Sequence, residues 1–291
     1  MFRRVVAPVA AIALAGLALT GCAQDSTSTT AASSADCSKD ALSTVTAGKL
    51  TIGTDSPAYP PYFVTDDASK ENGDPASGKG FESAVAYAIA SGLGFSNTEV
   101  VWQTVPFNSS YAPGAKNFDF DLNQISITPD RSKVVDFSDG YYTVNQAVVA
   151  LNDSPIAKAT TIAELQNANL GAQVGTTSAA FIEDVVKPTN KAQIFNDTND
   201  AKSAMQSGRL DGIVVDLPTA YYVTAVEIPN SKIVGQFPAQ ATGEQFGALF
   251  SKGNPLVGCV NKVLADLKSS GELQKIQDTW LAGESAPYFK E

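Results

Sequence analysis

The sequence predicts an α/β chain of two lobes, each built on a largely parallel sheet flanked by helices. Three observations predict it. Strand-like and helix-like segments alternate along the chain, and the alternation runs through twice. The chain has 291 residues, of which the first 21 look removable, leaving too much for one small domain and enough for two of ordinary size. Apolar residues make up 44%, enough to fill packed cores.

The N-terminus comes first. Arg3 and Arg4 precede an apolar run over 5–20, which is shorter than the roughly 20 residues a spanning helix needs. A positive start, an apolar centre and small residues at the end describe a secretory signal over 1–21. The run closes with Leu19-Thr20-Gly21-Cys22, which resembles a bacterial lipobox, whose cysteine receives a diacylglycerol and becomes the new N-terminus. An ordinary signal with an incidental cysteine is the other reading. Residues 22–36 are rich in Ser and Thr and, after Cys22, hold no large apolar side chain, so they read as a flexible tether. Together these features predict a protein exported and held on the outer face of the cell membrane by a lipid on Cys22.

Composition excludes several classes. Lys plus Arg is 20 and Asp plus Glu is 30, a net charge of −10, which loss of Arg3 and Arg4 makes more acidic. Nucleic-acid binders need a basic face. Histidine is absent, which excludes Ser-His-Asp and Cys-His catalysis and histidine-ligated zinc. Three cysteines are too few for a cysteine-only metal or cluster site, and no cofactor or metal is implied. After Cys22, Cys37 and Cys259 remain. In an oxidising space an even pair favours a bridge, which would close most of the mature chain into one loop and contribute about 5 kcal/mol. Two buried free thiols are the alternative.

The segments then follow in order. Residues 49–54 alternate as a strand, with a Pro- and Tyr-rich loop over 55–62. Residues 66–79 are a polar, exposed loop. Residues 81–91 carry apolar side chains at helical spacing and stop at Gly92. Strands are predicted over 99–105 and 121–127, after which Thr128 caps a helical turn with Pro129 in its first position. A strand over 144–151, a short helix over 161–166 and a strand over 170–174 come next. Gly175-Thr176-Thr177-Ser178 opens a helix over 179–187. A helix over 201–208, a strand over 212–215 ending at Asp216, a helix over 218–226 and a strand over 246–251 lead to helices over 255–270 and 272–281, parted by Gly271.

Chemistry enters at a few residues. Arg131 falls in the first turn of its helix, where the dipole disfavours a cation by about 0.3–1 kcal/mol. An anion in front of that terminus removes the mismatch, since a guanidinium grips a carboxylate with two hydrogen bonds. A surface pair with Asp130 or Asp136 is the alternative. The Gly175–Ser178 string is anion-compatible, or plain N-capping. Asp216 ends an apolar strand, where open α/β sheets place ligands; it suits an ammonium group, or caps the next helix. Tyr59, Tyr62, Phe107, Tyr111, Tyr141 and Tyr142 stand in or beside loops, as packing or as walls for a ligand. Asp55 and Glu82 read as exposed caps.

Taken together, GTDSPAYPPY, GKGFESAVAYAIA, VPFN, NQISITPDRSKVVDFSDGYY, GAQVGTTS, GRLDGIVVDLPTA and the closing GELQKIQDTWL resemble, in family order, the polar amino-acid-binding proteins of ABC importers. The likeness covers nearly all of 37–281. It implies a periplasmic-binding-protein-like clamp, with lobe 1 over 37–145 and 245–291, lobe 2 over 146–244, and crossing strands near 143–147 and 242–247 as the hinge. By position, it implies that Arg131 grips the ligand's α-carboxylate, aided by Thr177 and Thr176, and that Asp216 takes the α-ammonium. It implies that Ser126 and the Gln124 carbonyl line the pocket, that Phe107 and Tyr59 sandwich the side chain, and that Asp55, Glu82 and Gln173 read its tip. Asn123-Gln124 stands where many relatives carry Ser or Ala, and the loop over 66–78 is expanded. The expected ligand is a free polar amino acid, glutamine or a basic one, delivered by a monomer to a membrane permease. An enzyme on the same fold, resembling cyclohexadienyl dehydratase and using Glu82 or Asp55, and a sensory surface lipoprotein are the competing readings.

Overall fold

The computed structural model describes residues 36–67, 72–237, 243–281 and 286–290. The signal over 1–21, Cys22 and all but the last residue of the tether lie outside the described residues. The first sheet opens with β1 (Leu50–Thr54), buried along its whole length. Helix α1 (Phe81–Gly92), edge strand β2 (Val100–Thr104), a one-turn helix α2 (Phe107–Ser110), β3 (Phe120–Asp121) and β4 (Val135–Phe137) follow. β5 (Tyr142–Val144) leaves this sheet and β6 (Gln146–Leu151) starts the second. The second sheet gains β7 (Leu170–Gln173), α3 (Thr177–Phe181), β8 (Gln193–Phe195) and α4 (Thr198–Gln206). It then gains β9 (Gly212–Asp216), α5 (Leu217–Tyr222) and β10 (Ser231–Gln236). β11 (Glu244–Phe246) returns the chain to β12 (Leu249–Ser251), α6 (Leu256–Ser269) and α7 (Glu272–Trp280).

Among the described residues there are two five-stranded sheets, ordered β2-β1-β3-β12-β4 and β10-β6-β9-β7-β8, joined by the antiparallel ribbon β11-β5. The two sheets make the chain a two-lobed α/β protein. Each is mostly parallel, as the sequence predicts, and mixed through a single strand. In each, one strand runs against both neighbours: β12 in the first and β6 in the second. The reason is topological. The other strands are reached through helices or long connections, whereas β6 and β12 are entered straight from the ribbon strands. They arrive at the edge where their neighbours end, and so must run the opposite way.

Helix α1 lays Phe81, Val85, Ala86, Ile89 and Ala90 on Leu50, Ile52, Phe120 and Phe250 of the first sheet, with α6 beside it. The second sheet is buried on both faces by separate apolar clusters. Cys37 and Cys259 form a disulfide that closes a separation of 222 residues, with Cα atoms 5.4 Å apart. It ties the first described residues to α6.

Three differences from the sequence reading have physical causes. The strand expected over 121–127 ends at Asp121, because Gln124 takes φ 49°, a left-handed conformation that breaks the ladder. The strand expected over 144–151 divides at Asn145, where the ribbon gives way to the second sheet. The C-terminal residues do not stay with lobe 1 through 291: Tyr288 pairs with Gln236, Lys290 pairs with Thr161, and Phe289 is 3% exposed beneath Phe237 of the second lobe. Burial of that one aromatic ring draws the segment across.

Candidate functional site

A cavity of about 320 Å³ lies between the lobes, the size of a pocket for one small metabolite. β1 and β9 both deliver their carboxyl ends to it, through Asp55 and Asp216. Of the expected contact residues, only Glu82 stands outside its wall.

Arg131 begins a single 3₁₀ turn, Arg131–Lys133, and its backbone N–H donates to Thr128 Oγ1 at 3.2 Å. The side chain is 8% exposed. Nη1 donates to the Ser126 carbonyl at 2.7 Å, and Nη2 reaches across to the Gly175 carbonyl at 2.9 Å. The rings of Phe107 and Tyr111 pack against the guanidinium, 5.5 and 4.9 Å from its carbon. Asp130 pairs instead with Lys133, and Asp136 with Lys252, so Arg131 makes neither surface pair. Burial lowers its pKa, while Tyr111, Glu244 and Asp216 act against the shift.

From the second lobe, Thr176 caps α3, its Oγ1 accepting the Ala179 N–H at 3.1 Å. Thr177 Oγ1 lies 3.4 Å from both Ser126 Oγ and Gln146 Nε2. Gly175 has φ +72°, and a Cβ there would come within 2.1 Å of Tyr111 Oη. Only glycine lets the two lobes approach at this point. Gln173 lines the cavity, its Oε1 accepting from Thr198 Oγ1 at 2.9 Å.

Asp216 occupies the N-cap position of α5 without using its side chain as a cap. Its Oδ1 accepts from Gln146 Nε2 at 2.6 Å. Withdrawal from solvent raises its pKa, and the charge of Glu244 raises it further, against the Gln146 bond and Arg131. Of the two readings the sequence leaves open, the cap is not the one built.

At the other end of the cavity, Asp55 accepts from the Ser56 N–H at 2.7 Å and the Phe107 N–H at 3.1 Å, while burial raises its pKa overall. Tyr59, like Phe107, lines the cavity. Its hydroxyl accepts from Asn199 Nδ2, and Lys202 Nζ sits 5.3 Å from its ring centre. Lys202 also pairs with Glu227 at 2.6 Å.

Glu82 departs from both sequence expectations. It is neither exposed nor in the cavity wall, but lies fully buried behind Gln124. Its carboxylate accepts from Tyr141 Oη at 2.5 Å, from the Gln124 N–H at 2.8 Å and from Gln124 Nε2. These bonds fix Gln124 in its left-handed conformation. Burial outweighs them and pushes the pKa of Glu82 up to about 7.

Sequence reasoning missed Asp197, Lys202 and Glu227 in the wall and Gln146 and Glu244 behind it. Asp197 caps α4, its Oδ1 accepting the Asp200 N–H at 2.8 Å. Gln146 and Glu244 flank the lobe crossing, a place with no composition signal.

A family model described as bacterial extracellular solute-binding proteins, family 3, matches residues 50–283. The chain is 30% identical over 210 residues to the arginine-binding extracellular protein ArtP of Bacillus subtilis (strain 168), covering 70% of this chain and 78% of that protein. It is 30% identical over 244 residues to the arginine-binding periplasmic protein of Mannheimia haemolytica, covering 82% and 94%. Among solved structures it is similar to an ancestral arginine-binding protein bound to arginine, with TM-score 0.66, 30% identity, and coverage of 80% of this chain and 98% of that one.

Proposed function

As the chain belongs to the bacterial extracellular solute-binding proteins, family 3, we propose that it captures one free amino acid with a cationic side chain, arginine foremost, between its lobes. Lipid-anchored through Cys22, it presents that ligand to an ABC permease. One observation carries the reading: Arg131 and Asp216, from opposite lobes, meet in one cavity whose other charges are in acidic excess. A zwitterion is costly to desolvate unless each charge is paired. Arg131, with Thr177 and the amides of the α3 cap, takes the α-carboxylate; Asp216 takes the α-ammonium. Of the remaining wall charges, Lys202 is neutralised by Glu227, which leaves Asp55 and Asp197 to face the side chain. Two uncompensated carboxylates favour a guanidinium or ammonium over an amide and repel an acid. Because the two lobes hold opposite ends of the ligand, binding favours the closed state, and closure is the signal to the permease.

Titration calorimetry with arginine, lysine, ornithine, glutamine, glutamate and cystine tests the assignment. Arginine should bind tightest and glutamate not at all. Preference for glutamate, or indifference among the six, would sink it. A lyase on this fold needs a proton-transfer group in the wall, and Glu82, one of its two sequence candidates, lies behind Gln124.

A further inference from the structure

Glu244 has no place among the expected ligand contacts, yet it touches both lobes. It opens β11 of the crossing ribbon. Its Oε1 accepts from Ser126 Oγ of the first lobe at 2.5 Å, and its Oε2 accepts from Nε2 of Gln146, the first residue of β6, at 3.2 Å. The same Nε2 donates to Asp216 Oδ1 at 2.6 Å. Gln146 is 1% exposed and its Oε1 accepts from Ser178 Oγ at 2.6 Å, while the two carboxylates, as acceptors, require the NH2 end of the amide to face them. One amide nitrogen therefore ties two carboxylates from different strands.

Two like charges held so close need a cation or a shared proton. Arg131, the nearest cation, aims its N–H groups at the Ser126 and Gly175 carbonyls. Glu82, from α1, adds a further acidic group to the field at Asp216. The cluster of Asp216, Glu244 and Arg131 is thus short of one positive charge, and the α-ammonium of an amino acid supplies it.

We propose that Glu244 is a positioning residue for the ligand's α-ammonium: through Gln146 it orients Asp216, and the two carboxylates form a doubly acidic seat that the ammonium completes. This rests on the assignment of Asp216 to the ammonium. Before the ligand enters, Asp216 holds a proton. The ammonium displaces it, and the proton passes to the buffer. The upward shift at Asp216 agrees with this.

Glu244→Gln tests it, since the substitution keeps the shape and removes one charge. In the ligand-free protein, the carboxyl carbon of Asp216, followed by NMR, should titrate at least about one pH unit lower in the variant. An unmoved titration overturns the proposal. In calorimetry with arginine, the wild-type affinity should rise roughly tenfold or more between pH 6 and pH 8, with proton release in buffers of different ionisation enthalpy. In Glu244→Gln both effects should shrink to less than about half. Gln146→Leu, which cuts the link without changing charge, should weaken arginine binding about tenfold or more. A purely structural role would weaken binding equally at every pH, and superposable profiles overturn the proposal. If the wild type binds no amino acid, the proposed function fails, while the ligand-free titration still decides the carboxylate pair.

Discussion

Glu82→Gln isolates the group that holds the cleft floor. The Glu82 side chain is fully buried against Tyr141 and Gln124, and burial takes its pKa from 4.5 to about 7. The folded protein therefore keeps a proton that the unfolded chain releases above about pH 4.5. The resulting contribution to stability is whole below about pH 4.5, falls as pH rises, and is gone above about pH 7. A shift of that size, at 1.36 kcal/mol per unit, amounts to about 3 kcal/mol. Glutamine does not titrate. Urea unfolding of both proteins from pH 4.5 to pH 8 gives the difference in unfolding free energy, in which groups common to both cancel. That difference should move by about 3 kcal/mol in favour of the variant as pH rises, most of it between about pH 5 and pH 7. A difference flat to within about 1 kcal/mol would refute the reasoning.

Arg131→Ala should weaken arginine binding by at least about a hundredfold in calorimetry, while far-UV circular dichroism and cooperative melting persist. Replacing Cys37 and Cys259 together by serine should reduce the unfolding free energy by about 5 kcal/mol, the chain-entropy value for a loop of 222 residues, and a loss under about 1 kcal/mol in guanidinium unfolding would contradict it. Phe289→Ala should cost about 3–5 kcal/mol by the same measurement, because the ring is buried between Phe237 and Gly235.

The sequence made legible what local pattern controls. Helical spacing located α1, α6 and α7, and the end of β9 located Asp216. The Thr128-Pro129 start located Arg131, although spacing alone did not separate a ligand site from a surface pair. Short strands escaped: β3 has only two residues before Gln124 turns left-handed, and the hydrogen bonds that hold Gln124 come from Glu82, 42 positions away. The same long range hid the role of Glu82. A glutamate at a helix start looks exposed until the packing of α1 against Tyr141 is known. Gln146 and Glu244, 98 positions apart, acquire meaning only when the ribbon brings them together. Tyr59 and Phe107 were legible as wall residues, but nothing local shows that Tyr59 also meets Asn199 and Lys202 of α4 in the other lobe.

The C-terminal residues give the clamp a leash. Besides the ribbon, the chain crosses once more between Leu281, packed in the first core, and Ala286, packed in the second. Five peptide steps reach at most about 18 Å when fully drawn out. In the proposed opening and closing, those two points cannot part by more unless Ala286 and Phe289 first peel away.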